Sequence, residues 1–540
     1  MKKSKKFFPA LHGALFHLTR EGARCIIFST DLDAKGYTYM SNQNSVALPT
    51  NDKKVVSDTA ARAFVCPDFK LSGVFSSHMV LQREKPIRVW GFSTAIGSIV
   101  AGHLMGETVK TTVEETEEGY GKWVLTFSPH LYCREGQVMV ISDESGHTVT
   151  LEDILIGDVW MIGGQSNAEV NLGACIDLTP SLEFYEEDSF RLFTQTQAFV
   201  ASNQALCNRP QPDVINADWC WKRPSREASL EFSAMGLFFA REVSKMCDVP
   251  LGMVMMAAGG AAIRELLPEE LAHAEGYDYG AGVRESGYYN TLINPFVGLN
   301  FKGMLFFQGE SEGGSRELAE KYTYELALLV ADERRRFGFE FPFYNVQLSD
   351  YRDECETYFP HAAMIRVKQY DAARVIPNST LTVDMDLGSP EDWPDFAHSP
   401  RKWELGERLA KLALAREYGI GIEREVVSPT PASAFLMADK RQILIEFDNV
   451  SQGLIVSGHA PNESYGMEVH GFTVGDYDNR VPTTAVISSR HAVTVDIPEG
   501  VSTDAPLTVG YAYFNRVTPE NADLRGGNNL PCPAFCKVVG

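Results

Sequence analysis

Two short stretches of this sequence combine residue types that could do covalent chemistry. In Gly163-Gly164-Gln165-Ser166-Asn167 the apolar run DVWMI stops at two glycines and three polar side chains. Asp395-Phe396-Ala397-His398 is an Asp-x-x-His placed just before the helical pattern RKWELGERLAKLAL. A serine hydroxyl becomes a nucleophile at neutral pH only when a base takes its proton, and these two stretches supply one of each. Each also has a plainer reading: a Ser after a strand is usually a turn residue or helix cap, and a lone Asp-x-x-His occurs by chance. Other strand ends give the pair meaning. GMVMMAA runs into Gly259 and Gly260, GMLFF into Gln308, Gly309 and Glu310, and STLTV into Asp384 and Asp386. Ligands bind beyond the carboxyl ends of strands in open parallel sheets, and glycines there let a backbone N–H come close.

The elements that must carry these residues follow from periodicity. At 540 residues the chain exceeds one hydrophobic core and implies two to four domains. Residues 1–64 show no clear periodicity and are read as an extension of unassigned order. Residues 65–155 hold short β-rich segments such as KPIRVWGF and GKWVLTF, a small β-domain. In 156–424 buried runs (VPLGMVMMAA, GMLFFQ, FPFYNVQL, STLTVDM) alternate with helical patterns at Phe232–Met246, Arg316–Phe337 and Arg401–Tyr418. That alternation predicts a three-layer α/β fold on a parallel sheet. Strands alone return in 425–540, a sandwich-like β-domain.

Composition narrows the classes of partner. The balance of 49 basic against 71 acidic residues gives −22, which repels phosphate backbones and anionic lipid, so nucleic acid is excluded as an expected partner. No run of about 18 apolar residues could span a bilayer. Lys2, Lys3, Lys5 and Lys6 resemble the start of a signal peptide, but Pro9, His12, His17 and Arg20 break the apolar stretch that should follow. The ten cysteines are scattered singly except Cys532 and Cys536, which read as loop cysteines or one disulfide and not as a metal site. A reducing compartment, the cytoplasm, fits this usage better than a secreted or periplasmic one. Oligomeric state is not legible.

G-x-S-x-G, the elbow of ordinary α/β-hydrolases, fails because Ala168 stands in the last position. The ordered set FSSHMVLQREKPIRVWG, GDVWMIGGQSN, FSAMGLFFAREV, VPLGMVMMAAGG, YYNTLINPF, FFQGESEGG, HSPRKWELGERLA and YAYFNRVTPENADLRGGNNLPCPAF resembles the sialate O-acetylesterase family of SGNH hydrolases, from about Leu71 to Phe535. The resemblance implies a flavodoxin-like SGNH core and a serine esterase that removes O-acetyl groups from sugars, without metal or cofactor.

By the same resemblance Ser166 is the nucleophile, His398 its general base and Asp395 the orienting acid. The oxyanion donors are the Ser166 N–H, the backbone at Gly260 and the Gln308 side chain, and Gln165, Asn167, Arg264 and Glu310 are candidate substrate contacts. Some residues depart from the family pattern. Ala168 replaces a common Met, GGAAIRELLP puts Arg264 where a Glu is expected, and DFAHSP shifts the acid by one place, which leaves Asp392 as a second candidate. Glu310 either orients Gln308 or binds a sugar hydroxyl, or else stabilises a helix N-terminus through the dipole. For Arg264 and Arg516 an internal salt bridge is the simpler role than grip on a sugar carboxylate. Phe238 and Phe239 read as core. Two rivals stand beside a sialate esterase: an acetylxylan or other plant-glycan acetylesterase, and a non-catalytic carbohydrate-binding protein.

Overall fold

The computed structural model describes residues 64–175, 189–272, 285–352, 357–438, 441–475, 479–503 and 506–540, together with the backbones of 14–19 and 22–27. The last two pair as an antiparallel hairpin, local order that the sequence did not announce. Of the 1–64 extension, residues 1–13, 20–21 and 28–63 lie outside the described residues.

One long strand organises the molecule. β1 (Thr148–Gly164) alternates between exposed and partly or fully buried positions over TVTLED and is buried throughout ILIGDVWMIGG, as the change in composition demands. Its first half pairs antiparallel with Cys133–Asp143. Its second half lies parallel to β3 (Leu251–Met255) on one side and β4 (Gly303–Phe307) on the other. With β2 (Phe190–Phe193), β5 (Phe343–Gln347) and β6 (Ser379–Val383) the parallel core runs β2-β3-β1-β4-β5-β6. The strands expected at VPLGMVMMAA, GMLFFQ, FPFYNVQL and STLTVDM are therefore neighbours or near neighbours in one sheet.

The sheet as a whole is mixed, however, with 11 strands, and this corrects the expectation of a parallel sheet confined to residues 156–424. The cause is β1, which continues unbroken through the break placed between residues 155 and 156. A single apolar core accordingly extends from Trp90 and Leu125 to Ile162, Phe239 and Leu409.

Helices cover this sheet in packed pairs. α2 (Ala234–Met246) crosses α6 (Lys402–Glu417) so closely that a Cβ on Gly406 would come within 2.5 Å of Phe238 Cβ. Phe238 and Phe239 are buried there, as read from the sequence. α4 (Arg316–Phe337) packs against α5 (Ala362–Val375), a helix the sequence pattern did not single out. Beyond residue 424 the chain is β-rich, with a five-stranded and a four-stranded sheet around a second core that includes Ile443, Val474, Val509 and Phe535.

Candidate active site

Ser166 owes its position to the way β1 ends. Gly164 has φ +120°, and a Cβ there would lie 2.0 Å from the Phe307 carbonyl oxygen, so only glycine fits. The close approach lets Gln165 N–H donate to Phe307 O at 2.9 Å, and Ser166 then opens the short turn α1 (Ser166–Glu169). At such a start the backbone N–H has no acceptor within the helix.

The second element is the loop between β6 and α6. Asp395 Oδ1 accepts from the N–H groups of Ala397 and His398 at 2.9 and 3.1 Å, which folds Asp-x-x-His into a tight turn. The other oxygen, Oδ2, lies 2.8 Å from His398 Nδ1, and His398 Nε2 lies 2.8 Å from Ser166 Oγ. The row is satisfied when Nδ1–H donates to the carboxylate and Ser166 O–H donates to Nε2. Asp395, and not Asp392, is the acid in this contact. Arg352 pins the loop from behind by donating to the carbonyls of Glu391 and Trp393 at 2.7 and 2.9 Å.

Ser166, Asp395 and His398 share a pocket of about 410 Å³ with Glu169, Trp393 and Pro394 among its walls. Burial alone would raise the Asp395 carboxyl, but the Ala397 N–H and the His398 ring outweigh it and hold the group below its ordinary value.

Several residues expected to face substrate are turned inward. Gln165 is 3% exposed, and its Oε1 collects the N–H groups of Gly309 and Ser311 at 3.3 and 3.2 Å. Asn167 and Glu310 are also buried and bonded to each other, Asn167 Nδ2 donating to Glu310 Oε1 at 2.6 Å. Gln308, the expected side-chain oxyanion donor, is fully buried, and its Nε2 is directed at Gln165 Oε1, Ala261 O and Glu312 Oε2. Polar type was legible at these positions and direction was not: each side chain braces loops beneath the pocket. Arg264 lies on the short helix α3 (Ile263–Leu266) and is absent from the pocket wall. Arg516 pairs with Asp350 and Glu391, the internal salt-bridge role favoured for it.

Gly260 sits in a turn closed by Ala261 N–H to Ala258 O at 3.0 Å, with φ +72° and an exposed position. Next to it is a residue that the sequence motifs did not flag. Glu169, three positions after Ser166 and so on the same face of its turn, accepts the Gly259 N–H at 2.6 Å and the Gln197 N–H at 3.4 Å. Burial raises its carboxyl, against the pull of those N–H groups and His398. The i, i+3 spacing was the available signal. Cys532 and Cys536 are free thiols, so the disulfide weighed for them is not formed. No helix among the described residues is long and apolar enough to cross a membrane.

A hydroxyl, an imidazole and a carboxylate in one hydrogen-bonded row, at the carboxyl edge of a sheet, are arranged as in esterases and related hydrolases. Known proteins agree with that reading. Residues 156–415 match the family model described as carbohydrate esterase, sialic acid-specific acetylesterase. The chain is 24% identical over 404 residues to the sialate O-acetylesterase of Homo sapiens, covering 69% of this chain and 75% of that protein. It is 23% identical over 444 residues to the sialate O-acetylesterase of Mus musculus, covering 71% and 80%. A crystal structure of a carbohydrate acetylesterase from Xanthomonas citri superposes with a TM-score of 0.72 at 26% identity, over 87% of this chain and 99% of that one.

The protein is a carbohydrate esterase. Its segment 156–415 matches the sialic acid-specific acetylesterase family model, and carbohydrate O-deacetylation is its activity.

Proposed function

We propose that the enzyme removes O-acetyl groups from sugars through an acetyl-enzyme on Ser166, on a three-layer, flavodoxin-like SGNH hydrolase core, with sialate as the sugar. The observation that carries the mechanism is the 2.8 Å contact between His398 Nε2 and Ser166 Oγ. His398 takes the serine proton as Oγ attacks the acetyl carbonyl, then gives it to the departing sugar oxygen. Water, deprotonated by the same imidazole, attacks the acetyl-enzyme and releases acetate. Asp395 holds the imidazole in the tautomer that accepts at Nε2 and stabilises the imidazolium that forms. The tetrahedral oxyanion is met by the Ser166 N–H and the backbone at Gly260; Gln308, with its amide committed to Glu312 and Gln165, supports them from below. The parallel order of β1 to β6 and the paired helices support the proposed core.

Sialate as the sugar rests on the names of the relatives and of the family, and an acetylated plant glycan such as xylan is the competing substrate. Acetate release by the wild type and by Ser166→Ala, measured side by side on 9-O-acetylated sialic acid and acetylated xylan, tests both parts. Serine-dependent release from sialic acid is expected. Equal release by Ser166→Ala would refute the mechanism, and release from xylan alone would refute the substrate.

A further inference from the structure

Asn167 joins four separate parts of the chain with one amide. Its Oδ1 accepts from Lys402 Nζ at 2.7 Å, while its Nδ2 donates to Glu310 Oε1 at 2.6 Å and to the carbonyl of Ala397 at 3.1 Å. Tyr351 O–H adds a bond of 2.8 Å to the same Glu310 oxygen. Asn167, Lys402 and Glu310 are each at most 2% exposed. An ammonium and a carboxylate buried so deeply need compensation; Asp384 attracts Lys402 from one side, and the rest arrives through the amide, whose oxygen end faces the cation and nitrogen end the anion. Asp lacks the donor for this and Leu lacks both ends; asparagine has the two in a fixed fork.

The geometry has a mechanical consequence. Asn167 follows the nucleophile, and Ala397 precedes the base. The same Nδ2 that reaches Glu310 therefore ties the Ser166 turn to the His398 loop. Lys402, in the first turn of the helix that follows His398, ties that helix to the same side chain.

We propose that Asn167, held between Lys402 and Glu310, is a positioning residue that sets the Ser166–His398 contact. The amide-bridged ion pair is the lock and touches no substrate. This rests on the reading of Ser166 and His398 as nucleophile and base.

The test measures kcat and KM for acetate release, the rate at which a serine-directed fluorophosphonate inactivates Ser166, and the thermal midpoint. The variants are Asn167→Ala, Glu310→Gln, Lys402→Met and the double Glu310→Gln/Lys402→Met. A misplacement near 1 Å costs about 10²-fold in rate, so Asn167→Ala should lose roughly that much in kcat and in inactivation, with KM within about threefold. Removing the Lys402 charge alone should cost more than removing both, because Glu310 then stays buried without the cation, whereas Lys402 without Glu310 keeps the attraction of Asp384. A purely structural role would lower the thermal midpoint and leave both rates intact in the folded protein, which overturns the proposal. So does a rise in KM alone, which would make Asn167 a substrate contact. If Asn167→Ala does not fold, the charge pair decides the question instead: additive losses in the double variant refute the lock. Inactivation by fluorophosphonate needs no sugar, so it still reads Ser166 reactivity if the substrate assignment fails.

Discussion

His398 Nε2 lies 2.8 Å from Ser166 Oγ across 232 positions of sequence. The nucleophile turn hangs from the end of β1 and the imidazole from the loop after β6, so the contact exists only because two strand ends and the start of α6 converge. Asp395 then orients the ring from three residues away, with its side chain 48% exposed.

That exposure limits the contribution of Asp395. Neutralising the aspartate of a buried triad costs about 10⁴ in kcat. A half-solvated carboxylate contributes less, because water screens it. Asp395→Asn is expected to lower kcat on the order of 10²-fold with little change in KM. Steady-state kinetics check this, and an unchanged kcat would move the orienting role elsewhere, Asp392 being the next acid in sequence.

Glu169 fastens the Gly259–Gly260 turn to the helical turn that bears Ser166. Glu169→Ala leaves the Gly259 and Gln197 N–H groups without their acceptor, at about 1–3 kcal/mol for each one that water cannot reach. The thermal midpoint should fall, and kcat should fall by about tenfold as the backbone at Gly260 loses its register with the oxyanion. Paired melting curves and kinetics decide it; a stable, fully active variant would deny Glu169 any part in holding that turn.

At Gly164 a methyl group has no room. Gly164→Ala combines backbone strain of about 1–3 kcal/mol with a clash against the Phe307 carbonyl. The expected outcome is a large drop in chemical-denaturation midpoint, with activity lost before global unfolding as Ser166 is displaced. Wild-type behaviour would mean that β1 and β4 part easily at their ends.

Two buried acids make stability depend on pH. Burial raises Glu312 from 4.5 to about 7 against the opposing hydrogen bond from Gln308, and raises Glu333 from 4.5 to about 8, helped by Asp332. Both folded values exceed the unfolded value, so the fold is favoured fully below pH 4.5 and loses that contribution as pH climbs from there, completely once it has passed about 7 for Glu312 and about 8 for Glu333. For Glu312 the loss is about 3 kcal/mol once ionisation is complete. The thermal midpoint should decline between pH 4.5 and about 8, and Glu312→Gln should flatten that slope below about pH 7. An identical slope in wild type and Glu312→Gln would show that the carboxyl is not titrating there.

Much of this site could be read before folding. Buried strands followed by glycine or polar residues announce a sheet edge, because glycine is required where the end of β1 turns at Gly164 against Phe307. The Asp-x-x-His spacing was legible because Asp395 closes a local turn on its own neighbours. The inward direction of Asn167, Glu310 and Gln308 was not legible for a physical reason: a polar side chain beside a nucleophile can satisfy itself inward or outward, and the choice is made by partners such as Glu312 and, far away in sequence, Lys402. The continuity of β1 was hidden similarly. Its alternating half suits an antiparallel partner and its apolar half a parallel one, so the periodicity changed inside a single strand and looked like a boundary.

The most direct measurement is to mix the enzyme with an excess of O-acetylated sialic acid, quench with acid within the first turnovers, and map the acetylated peptide by mass spectrometry. One acetyl group on Ser166, absent in Ser166→Ala and accumulating in His398→Ala only to traces, is the expected result. Acetate released at the wild-type rate by Ser166→Ala, or an acetyl group found on another residue, would contradict the mechanism at its centre.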